Sequence, residues 1–228
     1  VIELPQGPFD VILADPPWRY AERGPNATKY GGGASGHYCT METVDIAALP
    51  VASIASPRAM LFLWATWPLL PDALRVIEAW GFEYLTIGFD WIKTNPSGGI
   101  RFGVGFYAKS NSEPCLLARR GSAMRPAAAD VSSVVIAPLR DHSRKPEAVR
   151  TRISRMYPTA RKVELFCRES AEGWQTWGDQ VDAVGFARQE KLAFETTAEP
   201  CLSTGSVAAG SVTGPKPGTA GVRSPGRD

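Results

Sequence analysis

The chain has 228 residues, 44% of them hydrophobic and 21% charged, with 25 Lys and Arg against 23 Asp and Glu. That is enough for one full-sized α/β domain and short for two. A net charge of +2 excludes a polybasic coat that would hold nucleic acid everywhere, but not a local basic face. The longest apolar runs, such as Ala59–Ala65, fall far below membrane-spanning length. The opening Val-Ile-Glu-Leu-Pro has no signal-peptide pattern, so a cytoplasmic protein is expected. Cys39, Cys115, Cys167 and Cys201 are widely separated, and His37 and His142 are the only histidines, so no metal site is expected.

In chain order, Phe9–Ala14 is a short apolar run ending in a Pro-Pro break, the pattern of a buried strand feeding a loop. Thr40 is placed to cap a helix over Met41–Leu49, and Ala59–Ala65 reads as a second buried strand. Pro71 at a helix start, then Leu74, Ile77 and Trp80 on one face, then Gly81, give a helix with both end signals. Tyr84–Ile92, Glu113–Ala118, Val131–Ala137 and Lys162–Cys167 are further strands. Pro146 opens a helix with Val149, Ile153 and Met156 inward, and Pro158 ends it. Strands alternating with helices predict an α/β fold, a mostly parallel sheet with helices on both faces. Composition divides the chain into a domain over 1–185, a short helix over 186–195 and a tail over 196–228. The tail has 23 Gly, Pro, Ser, Thr or Ala in 33 residues and no aromatic side chain, too little apolar surface to offset its ordering entropy.

Asp15-Pro16-Pro17-Trp18 follows the first strand, where ligands bind in open α/β sheets. Two prolines fix φ and remove two N–H donors, so the carbonyls of Asp15 and Pro16 and the Asp15 carboxylate are expected to form a rigid arc of free acceptors. Trp18 would add a flat apolar surface. Acceptors beside a stacking face suit a planar ring with an exocyclic amine; the plainer alternative is a strand-ending loop with an incidental Trp.

Asp-Pro-Pro-Trp after an apolar strand is the hallmark of adenine-N6 methyltransferases, and the chain resembles their MT-A70 branch, most closely its bacterial and phage members. The resemblance covers about 10–180 in one register. It runs through His37-Tyr38-Cys39-Thr40-Met41, Phe62-Leu63-Trp64-Ala65-Thr66, Trp80-Gly81-Phe82 and Trp91-Ile92-Lys93-Thr94-Asn95. It continues through Asn111-Ser112-Glu113, His142-Ser143-Arg144-Lys145-Pro146, Glu164-Leu165-Phe166 and Gly173-Trp174 to Gln180. What it implies is a Rossmann-like methyltransferase fold in permuted order, the Asp-Pro-Pro-Trp strand preceding a C-terminal half that binds S-adenosyl-L-methionine.

The resemblance further implies Asp15, Pro16, Pro17 and Trp18 as the catalytic group. Cofactor contacts fall on Asp15, Lys145, Phe166, Arg168, Asp179 and Gln180, with Lys145 on the methionine carboxylate and Arg168 on the ribose. Trp18, Tyr38, Lys93, Asn111 and Glu113 would face the substrate. Two positions depart from the family pattern: Asp179 stands where Asn is usual and Cys167 where Gly is usual, and an ionised Asp179 accepts but cannot donate. The family also carries an adenine-contacting segment upstream of its first strand, which is expected to be reduced here.

Between Arg140 and Lys162 there are eight basic and two acidic residues. Arg150, Arg152 and Arg155 lie off the apolar stripe of their helix and form a candidate phosphate-binding face, the alternative being a solvated helix surface. DNA is the expected substrate and RNA the runner-up; a homodimer or a heterodimer with a related subunit is the expected assembly. A non-catalytic partner subunit is disfavoured by the intact Asp-Pro-Pro-Trp.

Overall fold

A computed structural model describes residues 3–19, 40–103, 105, 107–140 and 144–178. Tyr38, Asp179, Gln180, the expected helix over 186–195 and the tail over 196–228 lie outside the described residues.

Strands β1 (Phe9–Ala14), β2 (Ala55–Trp64), β3 (Glu83–Thr94), β4 (Ser112–Arg120), β5 (Val134–Pro138), β6 (Lys162–Leu165) and β7 (Gln175–Trp177) form one sheet in the order β5-β3-β4-β2-β1-β6-β7. The β1–β2, β1–β6, β6–β7 and β3–β5 pairs are parallel, and only β4 is reversed, running antiparallel to both β2 and β3. The helices are α1 (Thr43–Ala47), α2 (Val51–Ile54), α3 (Leu70–Ala79) and α4 (Glu147–Met156).

The period of two along each strand sorts the core into two layers. Ile12 and Ala14 of β1 join Leu61, Leu63, Val163 and Leu165 beneath α1, α2 and α3. Val11 and Leu13 join Met60, Phe62, Trp64 and Trp91 beneath α4, whose Val149 and Ile153 face them. Both sheet faces are therefore covered by helices, as expected. Phe9 breaks the parity by lying in the first layer, because the β1–β2 register shifts between Phe9 and Val11.

Gly81 ends α3 at φ +77°. Its N–H donates to the Glu78 carbonyl and the Phe82 N–H to the Ile77 carbonyl, the paired closure that a left-handed glycine permits.

Several expected elements differ in extent. The helix expected over Met41–Leu49 is the shorter α1, and after Pro50 a separate turn, α2, follows that was not expected. Met41 is pulled into a bridge with Trp18, so Glu42, not Thr40, occupies the cap position. The strand expected over Val131–Ala137 begins only at Val134. The strand expected to reach Cys167 stops at Leu165, because Phe166 turns to φ +62°. Among the described residues no helix is long and apolar enough to cross a membrane.

Candidate active site

β1 lies between β2 and β6, all three parallel, so the chain's connections diverge to either side of its carboxyl end and leave a crevice there. Asp15 is the first residue in that crevice, held by its N–H donating to the Leu165 carbonyl at 3.3 Å. The reversed β4 starts at the same end, because Trp64 at the end of β2 pairs with Cys115. Glu113 is thereby brought beside Asp15, and Lys93 arrives at the end of β3. Lys145 enters from the turn before α4.

These residues form a chain of alternating charge. The Lys145 ammonium sits 2.8 Å from Asp15 Oδ1 and donates to Oδ2 at 2.9 Å. It is also 3.5 Å from Glu113 Oε2, while Lys93 donates to Glu113 Oε1 at 2.5 Å. Each ammonium rests over an indole, Lys145 over Trp64 at 5.5 Å and Lys93 over Trp91 at 5.1 Å. Glu113 is 8% exposed. Burial works against its ionisation, but Lys145 and Lys93 together outweigh burial and hold the carboxyl below its ordinary range.

Two cavities adjoin this chain. One is a cleft lined by Asp15, Lys145, Arg150, Glu164, Phe166 and Arg168, among others. Within it, Arg150 donates to Glu164 Oε2 at 2.9 Å, with 17% and 13% of the two side chains exposed. Burial pushes the Glu164 carboxyl up despite Arg150. Burial and the neighbouring Glu164 push the Cys167 thiol up to about 12, so no reactive thiolate is available. Phe166, an aromatic residue in the left-handed region, lines the cleft and meets Trp177 edge-on at 5.5 Å. Such strain is characteristic of binding and catalytic positions. The other cavity, about 360 Å³, is lined by Thr66, Trp67, Lys93, Arg101, Ser112 and Glu113, among others. Three buried side-chain oxygens among the described residues make no hydrogen bond, and two of them, Thr66 Oγ1 and Glu113 Oε2, belong to residues lining this cavity.

The sequence brings Asp15, Lys145, Phe166 and Arg168 to one cleft and Lys93 and Glu113 to its neighbour. Asn111 borders the second group through its main chain, its carbonyl accepting the Lys93 N–H at 2.9 Å.

Three expectations are corrected. The Pro16 carbonyl is not a free acceptor: it takes the Trp18 N–H at 2.8 Å, leaving one lone pair, and the Asp15 carboxylate already holds Lys145. Trp18 is 6% exposed, belongs to the core layer of Ile12 and Ala14, and its indole donates to the Trp64 carbonyl, so here it packs as a core residue and not as an open stacking surface. Arg150, Arg152 and Arg155 do not share a face. Arg150 turns into the cleft, Arg152 donates to the Ser132 and Val134 carbonyls beside β5, and Arg155 clasps Asp130 at 2.6 and 2.8 Å.

Sequence reasoning missed the Arg150–Glu164 pair. The signal available was a single carboxylate, Glu164, set between Val163 and Leu165 on a short strand.

A family model described as MT-A70 matches residues 9–180. The type II methyltransferase M.MunI of a Mycoplasma species is 32% identical over 195 residues, spanning 78% of this chain and 80% of that protein. An Arabidopsis thaliana N(6)-adenosine-methyltransferase MT-A70-like protein is 31% identical over 78% of this chain but only 24% of its own length. For the human N(6)-adenosine-methyltransferase catalytic subunit METTL3 the figures are 29% identity, 78% of this chain and 29% of that protein. The chain thus matches most of the mycoplasma enzyme and about a quarter of the plant and human ones. With the family model running from β1 past β7, the chain belongs to the MT-A70 family and is a methyltransferase.

Proposed function

We propose that the protein transfers a methyl group from S-adenosyl-L-methionine to the N6 amine of adenine in nucleic acid, with DNA as the substrate. The observation that carries this reading is the position of Asp15, a carboxylate at the end of the interior strand β1 bonded to a lysine that also borders Glu113 in the second cavity. The cleft carries Lys145, Arg150 and Arg168 beside Asp15 and Glu164, a charge mixture suited to a ligand with a carboxylate, an ammonium and a sulfonium. Lys145, Phe166 and Arg168 would hold the cofactor, which supplies when bound an electrophilic methyl group.

The chemical difficulty lies with the acceptor. The lone pair of an adenine amine is delocalised into the ring, making it a poor nucleophile. Asp15 and the remaining lone pair of the Pro16 carbonyl would accept from its two N–H groups, favouring a pyramidal nitrogen with its lone pair aimed outward. Asp15 has two oxygens and several acceptor sites, so it can keep Lys145 while accepting the amine. It is also the base placed to take the proton released once the nitrogen carries the methyl group. The 360 Å³ cavity is of a size for a purine, and Lys93 and Glu113 on its wall fit polar contacts with that base. Positioning and fixed electrostatics of this kind lower barriers by several kcal/mol.

DNA is favoured over RNA by the match to the type II methyltransferase M.MunI, which spans 78% of this chain and 80% of that protein. The test is incubation with methyl-labelled S-adenosylmethionine and sequence-matched DNA and RNA pools, followed by digestion and separation of the nucleosides. Label in N6-methyldeoxyadenosine is expected; label only in the RNA nucleoside would reverse the substrate assignment, and label in neither would overturn the reading.

A further inference from the structure

Glu164 occupies a position that packing alone would fill with an apolar residue. Along β6, Val163 and Leu165 enter the layer under α1–α3, whereas Glu164 pairs in register with Leu13 and faces α4. There Arg150 meets it at 2.9 Å, one turn after Lys145, with Val149 in the core beside it. Desolvating two charges beneath a helix costs about as much as their attraction returns, and an apolar pair of similar volume is commonly as stable. Stability therefore does not require this pair. Both side chains line the cleft and stand beside a second pair, Lys145 with Asp15. Two cation–anion pairs side by side complement a ligand that itself carries opposite charges a few ångströms apart. Arg150 has five donors and uses one on Glu164 Oε2, and the carboxylate has acceptor capacity beyond that bond, so both can take a ligand while staying paired.

Resting on the cofactor assignment above, we infer that the Arg150–Glu164 pair is a seat for the zwitterionic amino-acid end of S-adenosylmethionine, Glu164 taking its ammonium and Arg150 its carboxylate beside Lys145. Arg150 is then a cofactor residue and not a phosphate contact. The remaining lining acid, Glu169, is engaged by Arg144, which leaves Glu164 as the carboxylate suited to the ammonium once Asp15 serves the acceptor amine.

The test is calorimetric titration of the full chain with three ligands. These are S-adenosylmethionine, decarboxylated S-adenosylmethionine (ammonium kept, carboxylate lost) and 5′-methylthioadenosine, which lacks the amino-acid end. Comparing E164Q with R150Q/E164Q leaves no unpaired buried carboxylate in either variant. E164Q should weaken both sulfonium ligands by about 10-fold or more. Adding R150Q should weaken S-adenosylmethionine by about a further 10-fold and leave the decarboxylated ligand within about 2-fold. Neither change should alter 5′-methylthioadenosine binding, which also reports that the variants are folded. Equal losses for all three ligands, or no losses, would make the pair merely structural and overturn the inference with the cofactor assignment intact. Wild-type protein that binds none of the three would overturn the cofactor assignment itself, and this inference with it.

Discussion

Two largely enclosed glutamates line the two cavities of the site, and their ionisation is pushed in opposite directions. Glu113, on the side of the larger cavity, faces two ammonium groups, which overcome burial and keep its carboxyl below the ordinary range. Glu164, in the cofactor cleft, has Arg150 as its cation and Asp15 as a neighbouring anion; burial prevails and its carboxyl is raised. The number of cations within reach decides the sign, not the depth of burial. The difference separates the two cavities chemically. The Glu113 side is an ion cluster held by two ammonium groups that shapes a wall and keeps Glu113 Oε2 without a hydrogen bond, whereas the Glu164 carboxylate has a single cation, Arg150, bonded to it.

The largest expected effect comes from removing the anion shared by the two lysines. Glu113→Ala leaves two ammonium groups crowded against Trp64 and Trp91 without their shared anion, and should destabilise the fold by about 3 kcal/mol in urea titration. A loss below about 1 kcal/mol would mean that the lysines swing out to solvent and that the wall is not rigid.

Next in size is cofactor affinity. Lys145→Ala removes a charge-assisted contact and should weaken S-adenosylmethionine binding by roughly 1.5–3 kcal/mol, measured by calorimetry. Unchanged affinity would confine Lys145 to holding Asp15.

The opposed shifts also predict opposed responses to acid. Because the folded Glu113 carboxyl lies below its ordinary 4.5, its contribution is present above that pH and is lost as pH falls through the lower folded value. Folded Glu164 holds its proton more tightly than the unfolded chain does, so acid relieves it instead. Thermal melts from pH 7 to pH 3 should therefore show wild type losing ground to Glu113→Gln and gaining on Glu164→Gln. Parallel curves for all three proteins would contradict the contrast.

The smallest effect belongs to the outer arginines of α4. Arg155 and Asp130 are exposed and their attraction is screened by solvent, so Arg155→Ala should leave the thermal melt and calorimetric cofactor binding essentially unchanged. A large loss of affinity would mean that both ends of α4 serve the cleft.

How much of this is written in the sequence depends on how local each interaction is. β1 and α3 are legible because an apolar run before Pro-Pro, and Pro71 with Gly81, are signals carried by neighbours in the chain. The position of Asp15 at a strand end is legible for the same reason. β7 is only Gln175–Trp177 and has no apolar run, so it becomes a strand solely by pairing with β6. The Lys145–Asp15 bond joins residues 130 apart, and the family resemblance supplied both residues but not their contact. Arg150 is the instructive error. On a helical wheel it borders the Val149–Ile153 stripe, and whether such a residue faces water or a cleft depends on what lies opposite. Here that is Glu164, which turns it inward.

The central claim, that Asp15 prepares the acceptor amine, is most directly tested by Asp15→Asn. The substitution keeps the shape and replaces an acceptor oxygen with a donor facing the amine. With labelled cofactor and adenine-containing DNA, wild type should form N6-methyladenine while the variant loses about two to three orders of magnitude in turnover and still binds S-adenosylmethionine. Near-normal methylation by the variant would contradict the role assigned to Asp15 and, with it, the mechanism proposed for this site.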